Sequence, residues 1–187
     1  MKKMILISIL FIFLFLNVSV VEAVSFNIGA YESFNIRAGI SYNTYSLEEL
    51  NKFMGGAVDG GISFNISASE SYETLAIGIE LEHMFITYDL YLDRKVTASN
   101  TGLLVFMNYK ITDNLRLNTA LGSYMANIND VGDNYRSFAP GAKLGLEGNI
   151  GVTDEMNLAI KGNYRFASVG DVDFSGFEIG LLGEYKF

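Results

Sequence analysis

Cysteine is absent from the chain. That excludes disulfides, a thiolate nucleophile and a lipid-bearing N-terminal cysteine. Tryptophan is absent as well, and His83 is the single histidine. A lone histidine offers no ligand cluster, and the acidic segments lack the spacing of a calcium loop, so neither a metal nor a cofactor is expected. Basic charge is the scarcer sign: 13 Lys and Arg stand against 21 Asp and Glu, a net charge of -8. Binding to a phosphate backbone needs a basic face, so nucleic acid is not an expected partner. Beyond the N-terminus no stretch has the length and apolarity of a transmembrane helix. Glycine and the aromatics are abundant instead, with 19 Gly, 14 Phe and 11 Tyr in 187 residues, a length suited to one domain.

The one long apolar run lies at the start. Lys2 and Lys3 precede a nearly unbroken apolar stretch from Met4 to Val21. Val21-Glu22-Ala23 then places small residues where a signal peptidase reads them. Asn17 and Ser19 interrupt the end of the run, which argues against an uncleaved anchor. The expected organisation is a signal peptide over 1–23, cleaved after Ala23, and a mature domain over 24–187. Losing Lys2, Lys3 and Glu22 from the 13 basic and 21 acidic residues leaves the mature chain near -9.

The remainder has a period of two. Leu115, Leu117, Thr119, Leu121, Ser123 and Met125 alternate with Arg116, Asn118, Ala120, Gly122 and Tyr124. Leu158, Ile160, Tyr164 and Phe166 alternate with Asn157, Ala159, Lys161, Asn163 and Arg165. Phe177, Ile179, Leu181, Tyr185 and Phe187 alternate with Glu178, Gly180, Leu182, Glu184 and Lys186. Side chains on a strand point to opposite faces in turn, so these are amphipathic strands. The pattern predicts about eight, near 33–45, 58–69, 73–90, 97–111, 114–127, 137–151, 155–168 and 174–187. Tight connections (Ser69 to Glu73, Thr112 to Asn114, Thr153 to Glu155) alternate strictly with longer ones, placing every tight turn at one end of the sheet. Two turns repeat each other: Ile111-Thr112-Asp113-Asn114-Leu115 and Val152-Thr153-Asp154-Glu155-Met156.

An alternating barrel has one apolar face whether it is soluble or in lipid, and the other face decides. Here that face is rich in glycine: Gly39, Gly61, Gly78, Gly102, Gly122, Gly141, Gly145, Gly176 and Gly180. Water does not require glycine, whereas the interior of an eight-stranded barrel has little room for side chains. The long residues of the same face carry both signs: Arg37, Glu80, Glu82, Lys110, Arg116, Lys143, Glu147, Lys161, Arg165, Glu178 and Glu184. Buried charge is costly unless paired, so the mixed signs predict an interior network, with Glu147 expected to pair with Lys161 or Arg165. Inward Met84, Leu104, Phe106 and Tyr124 predict a lumen filled by side chains. The apolar face then meets lipid, and backbone groups in lipid must pair within a closed sheet. The expected fold is an all-β, closed, antiparallel transmembrane β-barrel.

These features together resemble the eight-stranded outer-membrane barrels of the OmpA/OmpX type. The resemblance spans about 24–187 and rests on the signal peptide, eight alternating strands, tight turns at one end and the terminal Phe187. It implies residence in a bacterial outer membrane among its lipids. It also implies an assembly signal read by the barrel-insertion machinery, carried here by Ile179, Leu181, Tyr185 and Phe187, from which Gly183 departs. It assigns no activity, since the family includes structural anchors, adhesion proteins, small channels and lipid-modifying enzymes.

Three further features invite a functional reading. His83, with Glu80, Glu82 and Asp89 nearby, suggests a hydrolase or a metal ligand, but alternation puts it on the outward face and no His-x-Ser motif follows it. Asp130, Asp133 and Asn134 in one loop and Asp171 and Asp173 in another are expected to be solvated loop tips. Ser46 to Met54 has a capping box (Ser46, Glu49) and an apolar face (Leu47, Leu50, Phe53, Met54), which predicts a short helix in the first long loop. The expected role is structural or interactive rather than enzymatic, in a monomer. A narrow channel for small or apolar molecules is the alternative, and a lipid-modifying enzyme stands third.

Overall fold

The computed structural model describes residues 30–44, 60–90, 94–130, 133–169 and 172–187. The signal peptide expected over 1–23 and the helix expected over Ser46 to Met54 lie outside these residues.

Eight long strands form the barrel: β1 (Tyr31–Thr44), β2 (Gly60–Tyr72), β3 (Leu75–Leu90), β4 (Arg94–Thr112), β5 (Leu115–Asp130), β6 (Asp133–Gly151), β7 (Met156–Val169) and β9 (Gly176–Lys186). A two-residue strand, β8 (Val172–Asp173), folds back on the end of β7 through Ser168 and Val169. Every neighbour is antiparallel, and β1 pairs with both β2 and β9, so the sheet closes. Closure leaves no edge within the membrane-spanning part, the requirement lipid imposes on a sheet. A line drawn across the strands through paired residues leaves β1 at Ser33. It passes Ser71, Ala76, Asn108, Asn118, Gly145, Asn163 and Glu178, then returns to β1 at Asn43, a stagger of ten residues. Such a stagger over eight strands tilts them by roughly 40° and leaves an interior just wide enough for side chains.

The strand ends differ at the two rims. Glu73-Thr74, Asp113-Asn114 and the four residues Val152 to Glu155 make the tight turns of one rim; at the other, β3 and β4 stand three residues apart and β5 and β6 two, so two of the longer connections expected there are taken up by paired strand instead. At the other rim the wall is uneven. β3 and β4 pair as far as Leu90 with Arg94, and β5 and β6 as far as Asp130 with Asp133. By contrast β6 and β7 stop at Gly141 with Ala167, and β7 and β9 at Arg165 with Gly176. Pro140, the chain's single proline, sits where the β6–β7 ladder ends, a position at which its missing N–H leaves no gap in the pairing.

The outer face is an apolar belt between two aromatic girdles. At the tight-turn rim Tyr31 meets Tyr72 edge-on at 6.0 Å, and Phe187 contacts Phe34 at 6.2 Å and Tyr185 at 4.7 Å between centroids. Toward the other rim Phe64 packs on Phe85 at 6.2 Å, and Tyr164 on Phe166 at 4.7 Å and Phe177 at 5.0 Å. Between them Ile66, Ile79, Leu103, Val105, Leu146, Ile160 and Leu181 stand exposed. Burying this surface in hydrocarbon is what stabilises it, and strands are the elements that cross: no helix among the described residues is long and apolar enough to do so.

Candidate functional site

The interior is the site. Arg37, Glu80, Glu82, Arg116, Lys143, Glu147, Lys161, Arg165, Glu178 and Glu184 all project inward, five cations against five carboxylates. Among the described residues their ion pairs fall into two groups that share no member. Toward the tight-turn rim, Arg37 meets Glu147 at 2.5 Å and Glu184 at 3.2 Å, and Arg116 stands 3.7 and 3.6 Å from the same two carboxylates. Further in, Lys143 Nζ lies 2.8 Å from Glu80, 2.8 Å from Glu82 and 3.2 Å from Glu178. Lys161 lies 2.6 Å from Glu178 and 3.7 Å from Glu80, while Arg165 lies 2.6 Å from Glu82 and 3.6 Å from Glu178. Each group holds equal numbers of both signs, so neither leaves net charge in a poorly solvated space.

Glu147 therefore differs from the sequence-based expectation. It pairs with Arg37 and Arg116, not with Lys161 or Arg165. Glu147 and Lys161 are direct register partners on β6 and β7, yet Lys161 turns to Glu178 on β9. A long side chain in a narrow lumen reaches across it as easily as along its own hairpin. Lys110, also on the polar face, stands at the tight-turn rim, where it pairs with Asp113 at 3.0 Å.

Uncharged groups complete the fill, and several were not singled out from the sequence. Asn157 donates to Glu184 at 2.9 Å, Arg165 donates to the Asn43 side-chain Oδ1 at 2.8 Å, and Asn118 bonds Asn108. The signal was present: asparagine recurs at inward positions of β1, β4, β5, β6 and β7. Met84, Leu104, Phe106, Tyr124, Phe174 and Leu182 are all buried in the same space. The Arg37 guanidinium lies 6.0 Å from the Phe106 ring centre, and that of Arg165 lies 5.8 Å from Tyr124. Tyr124 explains two of the inward glycines. Its ring lies across Gly102 on β4 and Gly141 on β6, and a Cβ at either would run into it.

At the tight-turn rim the fill stops short and leaves a cavity of about 230 Å³. Its lining includes Arg116 and Asn149, which are little exposed, Lys110 and Lys186, which are partly so, and the exposed acids Glu32, Glu73 and Asp113. Both amide atoms of Asn149 are buried without a hydrogen-bond partner.

The remaining candidates lie elsewhere. His83 is on the outer face, where Nδ1 shares a 2.8 Å hydrogen bond with Thr101 and the ring packs on Phe85. Among the described residues no three acidic or histidine side chains gather to hold a metal ion. Asp130, Asp133 and Asn134, expected at a loop tip, belong instead to the paired ends of β5 and β6, and Asp173 belongs to β8; their side chains are not described, and Asp171 lies outside the described residues. Ile179, Leu181, Tyr185 and Phe187 face outward on and just beyond β9, alternating with inward Glu178, Gly180, Leu182 and Glu184.

Known structures share this architecture. Neisserial surface protein A superposes with a TM-score of 0.59 at 17% identity, covering 84% of this chain and 99% of that one. The attachment invasion locus protein Ail of Yersinia pestis superposes at 0.54 and 12% identity, covering 85% and 99%, in a complex with the heparin analogue sucrose octasulfate. A second structure of Ail, described as an outer membrane protein in a phospholipid bilayer nanodisc, superposes at 0.50 with 13% identity, covering 83% and 100%. The fold is that of the small outer-membrane β-barrels of the OmpA/OmpX type. No family model matches the sequence, and no curated protein matches it.

Proposed function

We propose that this chain is a structural or interaction protein of a bacterial outer membrane: exported, cleaved after Ala23, and inserted as a monomer with a closed lumen. The observation that carries this reading is the interior itself. Ten charged side chains in two balanced groups, sealed by Tyr124, Met84, Phe174 and Leu104, occupy the space a pore would need. Within that interior arrangement no nucleophile stands beside a base. Insertion would use the outward Ile179, Leu181, Tyr185 and Phe187 as the signal read by the insertion machinery. The uneven rim, where β3 to β6 rise past their neighbours, is the surface best placed to meet a partner outside the cell.

The test is a pair of measurements on the refolded mature chain. Unheated samples should migrate faster on a denaturing gel than boiled ones, since a closed barrel resists detergent. In planar bilayers the wild-type protein should show no steady conductance. Steady single-channel currents would sink the closed-lumen reading and favour a narrow channel.

A further inference from the structure

The cavity at the tight-turn rim forms a vestibule beside the rimward charge group, in which Arg116, one of its lining residues, faces Glu147 and Glu184. A cavity of about 230 Å³ has room for roughly seven waters, or for a molecule the size of a dipeptide.

Its charges are sorted by exposure. Arg116 has only 17% of its side chain exposed and sits 3.6–3.7 Å from its carboxylate neighbours, looser than Arg37 against the same two. Beside it Asn149, 8% exposed, holds an amide whose donor and acceptor are both unused. Lys186 adds a second cation to the lining. The acids Glu32 and Glu73 are exposed, and Asp113, whose side chain is 93% exposed, draws Lys110 toward the rim. The less exposed lining therefore carries hydrogen-bond donors, with Arg116 held only loosely by its two carboxylates, and the exposed lining carries the acids. A buried amide left without a partner costs free energy that a bound polar group recovers.

We infer that this vestibule is a binding site for a small zwitterion of dipeptide size, held with its carboxylate against Arg116, Asn149 and Lys186 and its ammonium toward Glu32 and Glu73. A simple anion would leave the exposed acids unmatched, and a simple cation would leave the less exposed donors unmatched. Opposite charges at the two ends of one molecule satisfy both. The inference does not depend on the lumen being closed to ions, because the vestibule is filled from its own rim.

The probe is glycylglycine, titrated into the refolded mature chain (24–187) in micelles with its asparagine side chains labelled for NMR. Saturable shifts are expected at the Asn149 amide. N-acetylglycine, which lacks the ammonium, and glycinamide, which lacks the carboxylate, should each bind about tenfold more weakly, the loss of one charge-assisted contact. Lys186→Gln should weaken glycylglycine by a similar factor, and Arg116→Gln should abolish saturation. Should Arg116→Gln fail to fold, Lys186→Gln and Glu73→Gln in the more exposed lining carry the test alone. No saturable shift at Asn149, equal binding of the three probes, or unchanged affinity in Lys186→Gln overturns the proposal.

Discussion

Glu147→Gln removes one charge from the interior without opening a cavity. In the wild type this carboxylate is fully buried and faces two guanidinium groups, Arg37 at 2.5 Å and Arg116 at 3.7 Å. Its loss leaves two cations sharing Glu184, which then stands 3.2 Å from one and 3.6 Å from the other. Breaking a buried ion pair from one side costs about 3–5 kcal/mol, because the remaining partner keeps its desolvation penalty. Two features pull the value to the lower end: Arg37 keeps a carboxylate, and Arg116 reaches the vestibule. The expected loss is therefore about 3 kcal/mol, roughly two orders of magnitude in the folding constant. Urea titration of the barrel in lipid, compared with Asp113→Ala in an exposed turn, measures it. The double replacement Arg37→Met with Glu147→Leu supplies the control, since apolar groups in place of both partners leave no stranded charge and should recover much of the loss. The reasoning fails if Glu147→Gln is no less stable than Asp113→Ala, or if the double replacement is worse than the single one.

Topology is tested by protease sites: one inserted at Gly132 should be cut on intact cells and one at Asp113 protected, and the reverse result would invert the barrel. The glycines divide by face. Gly102→Val and Gly141→Val would drive a side chain into the Tyr124 ring and should lower refolding yield sharply, whereas Gly162→Val, where an added Cβ meets open space, should refold like wild type. On the outer face, Leu103→Arg puts a charge in the apolar belt and should cost about 2–4 kcal/mol in the same urea titration, against little effect for Thr119→Ser.

The barrel was legible because its period and its turns are local. Each strand announces its two faces by alternation, and the repeated Thr-Asp turn marks hairpin ends within a residue or two. Strand tops were harder to place. β4 begins at Arg94 and β6 at Asp133, earlier than the expected 97 and 137, because pairing continues past the belt into segments such as Arg94-Lys95 that lack lipid-facing apolar residues. Pairing across the lumen was not legible at all. Alternation says that Glu147 points inward, but which cation it meets depends on the stagger and on reach across the interior, and neither is a property of one hairpin. The vestibule escaped for the same reason, since Asn149, Arg116 and Lys186 come from three different strands.

The seam that closes the barrel joins strands far apart in the chain, and nothing local to either one sets how they align. There Arg37 on β1 lies directly opposite Glu184 on β9 and pairs with it. Sliding the last strand by one residue would turn its carboxylates out into hydrocarbon. Sliding it by two would keep the faces but set Arg37 against Leu182 in one direction and Lys186 in the other, replacing attraction with an orphaned charge or with repulsion. The ion pair thus acts as a key cut for one alignment, and a chain that zips out of step has no stable way to lock.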